Sequence, residues 1–400
     1  MIHSVSKRLK YYTHQRASAH AKAMNRNGKI ALAIVVLLLI VGIGLSLRKR
    51  SAVNNAVVKI GVIAPLSGDA AAYGQDAQKI LNHRLAEINQ EKGVKFQLAW
   101  EDGKCTGNDA VSAFQKLTDV DGVKIMIAGF CSSETLGIAP LTKDGKALAV
   151  SLGSSNPTIE GASPYVFTLS YSDQVVGETL AQQMSTFSKV AIITEQNDYN
   201  IGIKNVWEKK IAEYPNVKVV ANEIFPKGGS DFRNLLAKIR KESPDALLLN
   251  PNPGVTADNL LKQLAEMKDW KGYKLYTQFA YLADATRTAV GDFANGMTIV
   301  DAPNLTDPAF LAYKADIEKT EGAIPTLGNY YSASAIDDLS ILTSLIRELG
   351  NDQKAVRDAI SQRTFKGYLG DIYFGGHSFK QGSRGGVYVV QDGKAVYQQQ

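Results

Sequence analysis

The sequence predicts an α/β protein with two similar halves, each built on a parallel sheet, and one transmembrane helix before them. From residue 57 onward, short β-branched runs alternate with longer amphipathic stretches, which is typical of βαβ units. The alternation restarts near residue 188, and an uncharged apolar run at 30–47 precedes both halves. A chain of 400 residues is long enough for two compact units.

The apolar run at 30–47 is long enough to cross a bilayer. As a helix its 18 residues would extend roughly 27 Å, close to the thickness of the hydrocarbon core. Seven Lys and Arg residues precede the run and three follow it, so the positive-inside rule keeps residues 1–29 in the cytoplasm as a basic tail. We therefore expect a protein of the cell envelope, anchored in the cytoplasmic membrane, with everything after the run exported.

A cleaved signal peptide is the competing interpretation of the same run. Met24 would then be the first residue of the translated protein, and residues 25–29 would be the basic region of the signal peptide. The exported part would be secreted. The uncleaved anchor is favoured because Arg48, Lys49 and Arg50 stand where a small-residue cleavage site should be.

The positive charge of the chain belongs to this N-terminal region. The formal net charge is +6, but residues 1–50 hold ten Lys and Arg residues and no acidic residue. The remainder has 35 basic and 39 acidic residues. A nucleic-acid surface needs Lys and Arg concentrated on a folded face, so no nucleic-acid partner is expected.

Two cysteines, Cys105 and Cys131, both fall in the exported part. Oxidising surroundings favour a disulfide between them, and two unrelated buried thiols are the alternative. Only His83 and His377 accompany the cysteines after residue 50, so a structural metal site is not expected. No motif suggests a cofactor.

The first half is predicted to be a βα unit with four strands. Residues 65–68 form a turn after the first strand, and residues 73–92 carry apolar side chains on one helical face. The predicted strands are 57–64, 95–101, 124–128 and 147–151, and the predicted helices are 73–92, 108–118 and one that begins near Ser132.

The second half repeats the alternation and is followed by a helical region. Predicted strands cover 188–194, 217–224, 246–250, 273–276 and 296–301, and predicted helices cover 199–212, 231–241 and 255–267. Further helices are predicted at 308–318, 330–348 and 353–361. The C-terminal segment after them has a strand-like pattern that is interrupted by glycines.

Three motifs resemble the type I periplasmic binding proteins of the branched-chain amino acid class, the solute receptors of ABC transporters. The first is VKIGVIAPLSG at 58–68, followed by Tyr73-Gly74. The second is the pair EDGKC at 101–105 and GFCSSET at 129–135, which resembles the disulfide-linked loops of that family. The third is GSSNP at 153–157, which falls at a ligand-facing loop of the family. The resemblance extends over residues 57–398.

The resemblance implies two doubly wound lobes joined by a three-crossover hinge, with a ligand held between them. The crossovers are expected near 168–172, 300–304 and 370–375. Lobe one would combine 57–170 with 302–372, and lobe two would combine 171–301 with 373–400.

The fold class also locates a site from the residues alone. Ligands of open α/β sheets lie beyond the carboxyl ends of the strands. Ser132 follows one such strand and opens a helix, so it can offer a hydroxyl and nearby amides to an anion. Gly153, Ser154 and Ser155 follow the next strand, and the two loops form a candidate carboxylate cradle. Helix capping and turn chemistry are the alternative explanation for these serines.

Further ligand contacts are predicted at Tyr73, Tyr199, Asn252 and Phe279. Both tyrosines lie at the ligand edge of their sheets, although each could instead be an ordinary core or surface aromatic. Asn252, or its neighbour Asn250, is placed near another contact on lobe two.

One departure from the family bears on the ligand. The resemblance implies an acidic side chain after the strand at 273–276, to neutralise a ligand ammonium, but the chain reads TQFAY at 277–281. Burying an unpaired ammonium is costly, so a standard branched-chain amino acid is doubtful. Phe279 suggests an apolar group on the ligand and Gln278 a neutral hydrogen bond, whereas Asp198 or Asp301 could supply the charge from elsewhere.

No catalytic residue is predicted. The chain lacks a Walker-type phosphate loop, a GxGxxG after the first strand, a GxSxG elbow and an HExxH motif. The leading hypothesis is a monomeric binding domain that captures a small molecule and presents it to a membrane permease. A membrane-anchored ligand sensor is the alternative, and an exported hydrolase is the third hypothesis.

Overall fold

The computed structural model describes residues 57–267, 270, 272–375 and 385–398. The predicted cytoplasmic tail at 1–29, the predicted span at 30–47 and His377 lie outside these residues. None of the helices within the described ranges has the length and apolar character needed to cross a membrane.

Five parallel strands form the first sheet, which we call sheet A. The strand order is β2-β1-β3-β4-β5. The central strands are buried on both faces, which explains why their sequences are almost continuously apolar. Their C-terminal ends meet at one edge, because Ala64 pairs with Asp102 and Ser151 with Thr168. The strands are β1 Val57–Ala64, β2 Lys95–Asp102, β3 Ile125–Ala128, β4 Leu148–Ser151 and β5 Val166–Thr168.

Three helices connect the strands of sheet A: α1 Ala71–Ile88, α2 Gly107–Gln115 and α3 Ser132–Thr142. The Thr106 side chain accepts the Asp109 N–H and begins α2, as a hydroxyl N-cap does. The helix predicted at 108–118 ends earlier as an α-helix and continues as a π-helical segment, Lys116–Val120.

Seven strands form the second sheet, which we call sheet B. The order is β14-β13-β10-β9-β8-β6-β7. The strands β6 to β10 are parallel, whereas β13 pairs antiparallel with β10 and β14 pairs antiparallel with β13. Two apolar clusters cover its faces, one of them shared with sheet A. The strands are β6 Lys189–Gln196, β7 Lys218–Pro226, β8 Ala246–Asn250, β9 Lys274–Thr277, β10 Thr298–Asp301, β13 Gly386–Gln391 and β14 Lys394–Gln398.

Five helices accompany sheet B. They are α4 Asp173–Met184, α5 Asp198–Ile211, α6 Arg233–Lys241, α7 Val255–Glu266 and α8 Asp284–Ala289. Neither α4 nor the short α8 had a counterpart among the predicted elements.

The chain returns to sheet A after β10. The long helix α10 packs against α1 and β3, and α11 packs against β4. Two short strands then pair with each other as a separate hairpin. These elements are α9 Pro308–Glu321, α10 Asn329–Leu349, α11 Gln353–Gln362, β11 Thr364–Gly367 and β12 Gly370–Tyr373.

The structure corrects the prediction of four strands in the first half. A fifth strand, Val166–Thr168, pairs with β4 at the edge of sheet A. Its three residues are too few to show a two-residue period, so the pattern could not distinguish them from a loop.

Candidate functional site

A cavity, which we call the first cavity, lies where the C-terminal ends of sheets A and B face each other. The space free of protein atoms there is about 420 Å³, part of which is open to solvent. Loops after β1, β3 and β4 and the helix α10 line the side of sheet A, and α5 and the segments after β8 and β9 line the side of sheet B. The lining residues are Ala70, Phe130, Cys131, Ser132, Gly153, Ser155, Tyr199, Asn252, Pro253, Phe279 and Tyr331.

Six of the eight predicted ligand residues come together in this lining. They are Ser132, Gly153, Ser155, Tyr199, Asn252 and Phe279. Tyr73 and Ser154 are buried beside it and are not part of the lining.

Sequence reasoning missed four lining residues. Phe130 is adjacent to the recognised Cys131 motif, so that motif was an available signal. Ala70 and Pro253 have no distinctive local pattern. Tyr331 lies within a predicted helix rather than at a strand end, so the strand-end rule could not find it.

Ser132 lies at the first position of α3, beside the cavity. Its hydroxyl oxygen accepts the Asn156 N–H at 3.2 Å, which ties the loop after β3 to the loop after β4. Accepting this bond leaves the hydroxyl proton free to be donated. Ser132 can therefore donate a hydrogen bond to an anionic group in the cavity.

The carboxylate of Glu134 organises the same loop. It accepts the N–H groups of Phe130 and Cys131, each at 2.9 Å, and that of Cys105 at 3.1 Å. The amides just before α3, which we expected to face an anion, are therefore used internally. Burial raises the pKa of Glu134 to about 7 despite these bonds. A side chain at Gly103 would meet Glu134 Oε1 at 2.2 Å, so the tight approach requires glycine there.

Cys105 and Cys131 form a disulfide, as predicted, with their Cα atoms 5.2 Å apart. The bond joins the loop after β2 to the loop that carries Ser132. Lys104 and Cys105 have positive φ angles of 47° and 58°, which non-glycine residues rarely adopt. The disulfide and Glu134 together hold this backbone at the rim of the cavity.

The loop after β4 contributes three residues with different roles. A Cβ atom on Gly153 would lie 2.6 Å from the Phe130 ring, so glycine permits this loop to pack against Phe130. The Ser154 hydroxyl faces Thr135 Oγ1 at 2.7 Å and the Gly129 carbonyl at 3.2 Å, inside sheet A. Ser155 lines the cavity and its side chain hydrogen-bonds to Asp173.

Aromatic rings form a continuous wall of the cavity. Phe130 stacks on Tyr73 at 5.4 Å between centroids, and Phe279 contacts Tyr73 at 5.3 Å and Tyr331 at 5.2 Å. Tyr73 thus supports the two phenylalanines from behind. The wall suits an apolar or aromatic group on a ligand.

Gln278 positions Tyr199 and does not face the cavity. Its Oε1 accepts the Tyr199 hydroxyl at 2.9 Å and the Ala280 N–H at 2.7 Å, while its Nε2 donates to the Pro251 carbonyl at 2.7 Å. The side chain is fully buried, and these partners occupy it. The interpretation of Gln278 as a ligand contact is therefore replaced by a supporting role. Asn250 is also fully buried in this network, and Asn252 is the asparagine that lines the cavity.

Two buried acids lie next to the cavity. Asp173 begins α4 and is 2% exposed, and burial raises its pKa well above the ordinary value. Its Oδ2 has no hydrogen-bond partner among the described residues. Asp301, at the end of β10, accepts the Tyr331 hydroxyl at 3.1 Å, and burial raises its pKa to about 7. The backbone carbonyl of Asp198 instead accepts a hydrogen bond from Asn156 Nδ2 at 2.5 Å.

Comparisons with known proteins agree with this architecture. A family model described as periplasmic binding protein matches residues 57–394. A Leu/Ile/Val-binding protein homolog of Brucella abortus is 25% identical over 335 residues, which cover 80% of this chain and 86% of that protein.

Two solved structures share the fold at low sequence identity. The first is an ABC-transporter solute-binding protein from R. palustris, in complex with 4-hydroxybenzoate. Its TM-score is 0.75 at 19% identity, and the match covers 86% of this chain and 96% of that protein. The second is a branched-chain amino acid transporter substrate-binding protein from Streptococcus pneumoniae, in complex with isoleucine. Its TM-score is 0.70 at 18% identity, and the match covers 86% of this chain and 100% of that protein. With two sheets that open onto one cavity and a family match over nearly all the described residues, the chain belongs to the type I periplasmic binding proteins of the branched-chain amino acid class.

Proposed function

We propose that this protein captures a small carboxylate-bearing solute outside the cytoplasm and delivers it to an ABC importer in the membrane. The observation that carries the proposal is the first cavity, which both sheets line at their C-terminal ends. A solute there would touch both halves at once. It would therefore stabilise the closed form, which is the form that a permease recognises.

The proposed lobes follow the chain path between the sheets. Lobe one combines 57–170 with 302–372, and lobe two combines 171–301 with 373–400. The separate hydrogen bonding of sheets A and B and the return of α10 and α11 to sheet A support this division. We also propose that residues 30–47 anchor the chain in the membrane that carries the permease.

The chemistry of the cavity supports a ligand with a carboxylate and an apolar part. Ser132 has a hydroxyl proton to donate, and the rings of Phe130, Phe279 and Tyr331 supply apolar surface. The two solved relatives described above hold isoleucine and 4-hydroxybenzoate, and both of these ligands combine a carboxylate with an apolar group. We propose Ser132, Gly153, Ser155, Tyr199, Asn252 and Phe279 as direct contacts, with Tyr73 and Ser154 as supporting residues.

The proposal is tested first by ligand screening. The purified full chain is screened by thermal shift against amino acids, aromatic acids, amides and short aliphatic acids, because a tight ligand raises Tm by mass action. We expect carboxylates with an apolar group to give the largest shifts. Uptake of the identified ligand into vesicles that contain the partner permease should then depend on this protein. Binding without any stimulation of uptake would favour the sensor alternative, and turnover of the ligand would favour a hydrolase.

The role of Ser132 is tested by Ser132→Ala. Loss of one hydrogen bond to a charged group should weaken a carboxylate ligand about tenfold, as measured by isothermal titration calorimetry. Ser112→Ala, on the exposed face of α2, is the matched control and should leave affinity unchanged. Unchanged affinity in Ser132→Ala would show that the proposed cradle is elsewhere.

A further inference from the structure

Helix α5 meets the loop after β4 at a glycine. Gly202 is a buried residue of α5, and a Cβ atom there would lie 2.6 Å from Asn156 Nδ2 and 2.9 Å from Asn156 Cγ. The φ angle of Gly202 is not positive. The position therefore needs glycine for space and not for its backbone conformation.

The Asn156 amide that fills this space is held in place by hydrogen bonds. Its Oδ1 accepts the Thr158 N–H at 2.9 Å and the Thr158 hydroxyl at 2.7 Å, both within one loop. Its Nδ2 reaches α5 and donates to the Asp198 carbonyl at 2.5 Å. Because these bonds fix the amide, it cannot turn away from a larger side chain at residue 202 without losing some of them.

This contact joins the two proposed lobes. Asn156 belongs to lobe one and Gly202 to lobe two, and α3 of lobe one also packs against α5. In an open form the bonds between Asn156 and Thr158 would remain, whereas Gly202 would lose its neighbour. A side chain at residue 202 would therefore be opposed only when the lobes are together.

The contact also lies between two proposed solute residues. Tyr199 stands three residues before Gly202, so the two lie on one face of α5, and Tyr199 lines the first cavity. On the other side, Asn156 donates its backbone N–H to Ser132 Oγ at 3.2 Å. The fit of Asn156 against Gly202 therefore sets the distance between a lobe-one wall and a lobe-two wall of the cavity.

A second glycine makes a similar contact elsewhere on the cavity rim. A Cβ atom on Gly254, at the start of α7, would lie 2.2 Å from the Asp69 carbonyl oxygen in the loop after β1. The φ angle of Gly254 is 113°, so a substitution there would strain the backbone in any form. Gly202 is the position at which closure can be tested without such strain.

We propose that Gly202 and Asn156 form a docking point that determines how completely the two lobes close on a solute. Gly202 is a positioning residue, because it makes room for the Asn156 amide and so brings Tyr199 to the cavity. The inference rests on the proposed function, since it assumes two lobes that close. A larger side chain at residue 202 would hold the lobes apart and weaken the binding of every solute, whatever its chemical class.

The docking contact is tested without a solute by cross-linking of the full chain. Asn156→Cys combined with Gly202→Cys should form a disulfide under mild oxidation, because the 2.9 Å between a Cβ at residue 202 and Asn156 Cγ suits disulfide geometry. Peptide mapping by mass spectrometry identifies the link. Asn156→Cys with Lys209→Cys is the control and should not cross-link, since residue 209 lies about 10 Å farther along α5.

The effect on binding is tested by isothermal titration calorimetry with isoleucine and 4-hydroxybenzoate as probes. Gly202→Ala should weaken the binding of either probe by the same factor, about 10- to 100-fold, because the added methyl group overfills the closed contact. The Tm of the ligand-free chain should not fall, since alanine favours a helix more than glycine does. Gly328→Ala, where a Cβ atom would meet only Leu282 at 3.6 Å, is the matched control and should leave affinity unchanged.

A double variant separates the docking point from a general defect in α5. Asn156→Ala alone should weaken binding about fivefold, through loss of its bond to α5. Gly202→Ala should add no further loss in the Asn156→Ala background, because the methyl group then has room.

Two sets of results would overturn the inference and leave the solute receptor intact. They are an unchanged affinity in Gly202→Ala, or losses that add in the double variant. Absence of the 156–202 cross-link would overturn the docking contact itself. If neither probe binds, the proposed carboxylate ligand fails, and the cross-link alone then decides whether the docking contact forms.

Discussion

Single residues at the cavity rim act mainly through the backbone that they hold. Glu134 is the clearest case, because one buried carboxylate accepts N–H groups from two loops that are linked by a disulfide. A buried acceptor of this kind is difficult to replace, since its partners would otherwise lose their hydrogen bonds without regaining water.

Glu134→Gln should therefore destabilise the fold. The amide places an N–H group against backbone N–H donors, and we expect the free energy of unfolding to fall by about 2 kcal/mol. Urea denaturation followed by circular dichroism measures this loss. Glu213→Gln, at an exposed acid paired with Lys210, should change stability by less than about 0.5 kcal/mol. An equally small effect in Glu134→Gln would contradict the role that we assign to this carboxylate.

At the scale of elements, the site is built from loops that follow strands, and the disulfide links two of them. The 26-residue separation between Cys105 and Cys131 closes a loop in the unfolded chain. Removing that constraint should cost about 3.5 kcal/mol in the chain-entropy treatment.

The double variant Cys105→Ser/Cys131→Ser should show this loss in urea denaturation, and wild type with a reducing agent should approach the same stability. Because Cys131 lines the first cavity and precedes Ser132, ligand affinity should fall as well. Addition of reducing agent to the double variant is the control and should have no further effect. Full affinity after complete reduction would show that the disulfide does not shape the site.

At the scale of the whole molecule, a few polar contacts join the two sheets' loops across the cavity. Lys227 Nζ, after β7, donates to the Cys105 carbonyl at 2.7 Å, and Asn156 donates to the Asp198 carbonyl. Neither Lys227 nor Asn156 lines the first cavity. We expect these contacts to favour the proposed closed form independently of the solute.

Lys227→Met should therefore weaken ligand binding three- to tenfold without changing the cavity, because the closed form becomes less populated. Calorimetry measures the affinity, and small-angle scattering of the ligand-free chain should show a larger average radius. Lys218→Met, at an exposed position on β7, serves as the control. Unchanged affinity and radius in Lys227→Met would remove this contact from the closure mechanism.

The buried acids give the whole molecule a pH-dependent stability. The folded-state pKa values of Glu134 and Asp301 are raised to about 7, from ordinary values of 4.5 and 3.8. In the folded state these groups keep protons that the unfolded chain releases. Their contribution to stability is complete below about pH 4 and is lost as the pH rises through 7.

The free energy of unfolding should accordingly fall by at least about 1 kcal/mol between pH 5 and pH 8, in urea denaturation at fixed ionic strength. Acids with lowered pKa values, such as Asp102, lose their contribution below this window and do not offset the trend. Asp301→Asn should make the slope shallower. A stability that rises from pH 5 to pH 8 would contradict the prediction.

Much of the fold could be predicted because local patterns correspond to single elements. The strand at Val57–Ala64 agrees with the predicted 57–64, and α5 and α10 begin within one residue of their predicted starts. Six site residues could be placed at one edge because parallel strands carry their C-terminal ends to the same side. The three-residue β5 could not be predicted because it is too short to show the two-residue alternation of a strand.

Hydrophobic period and strand-end chemistry thus determined, from the sequence alone, the α/β class and the edge of the sheets that carries the cavity, and the resemblance of three motifs indicated the family. Only the tertiary structure decided which side chains enter it. Gln278 is next to Phe279 in sequence and yet turns to Tyr199, while Asp301 and Tyr331, thirty residues apart, are joined by a hydrogen bond. Side-chain direction at a strand end depends on what the other sheet and α10 pack against it, and that information is not local in the chain.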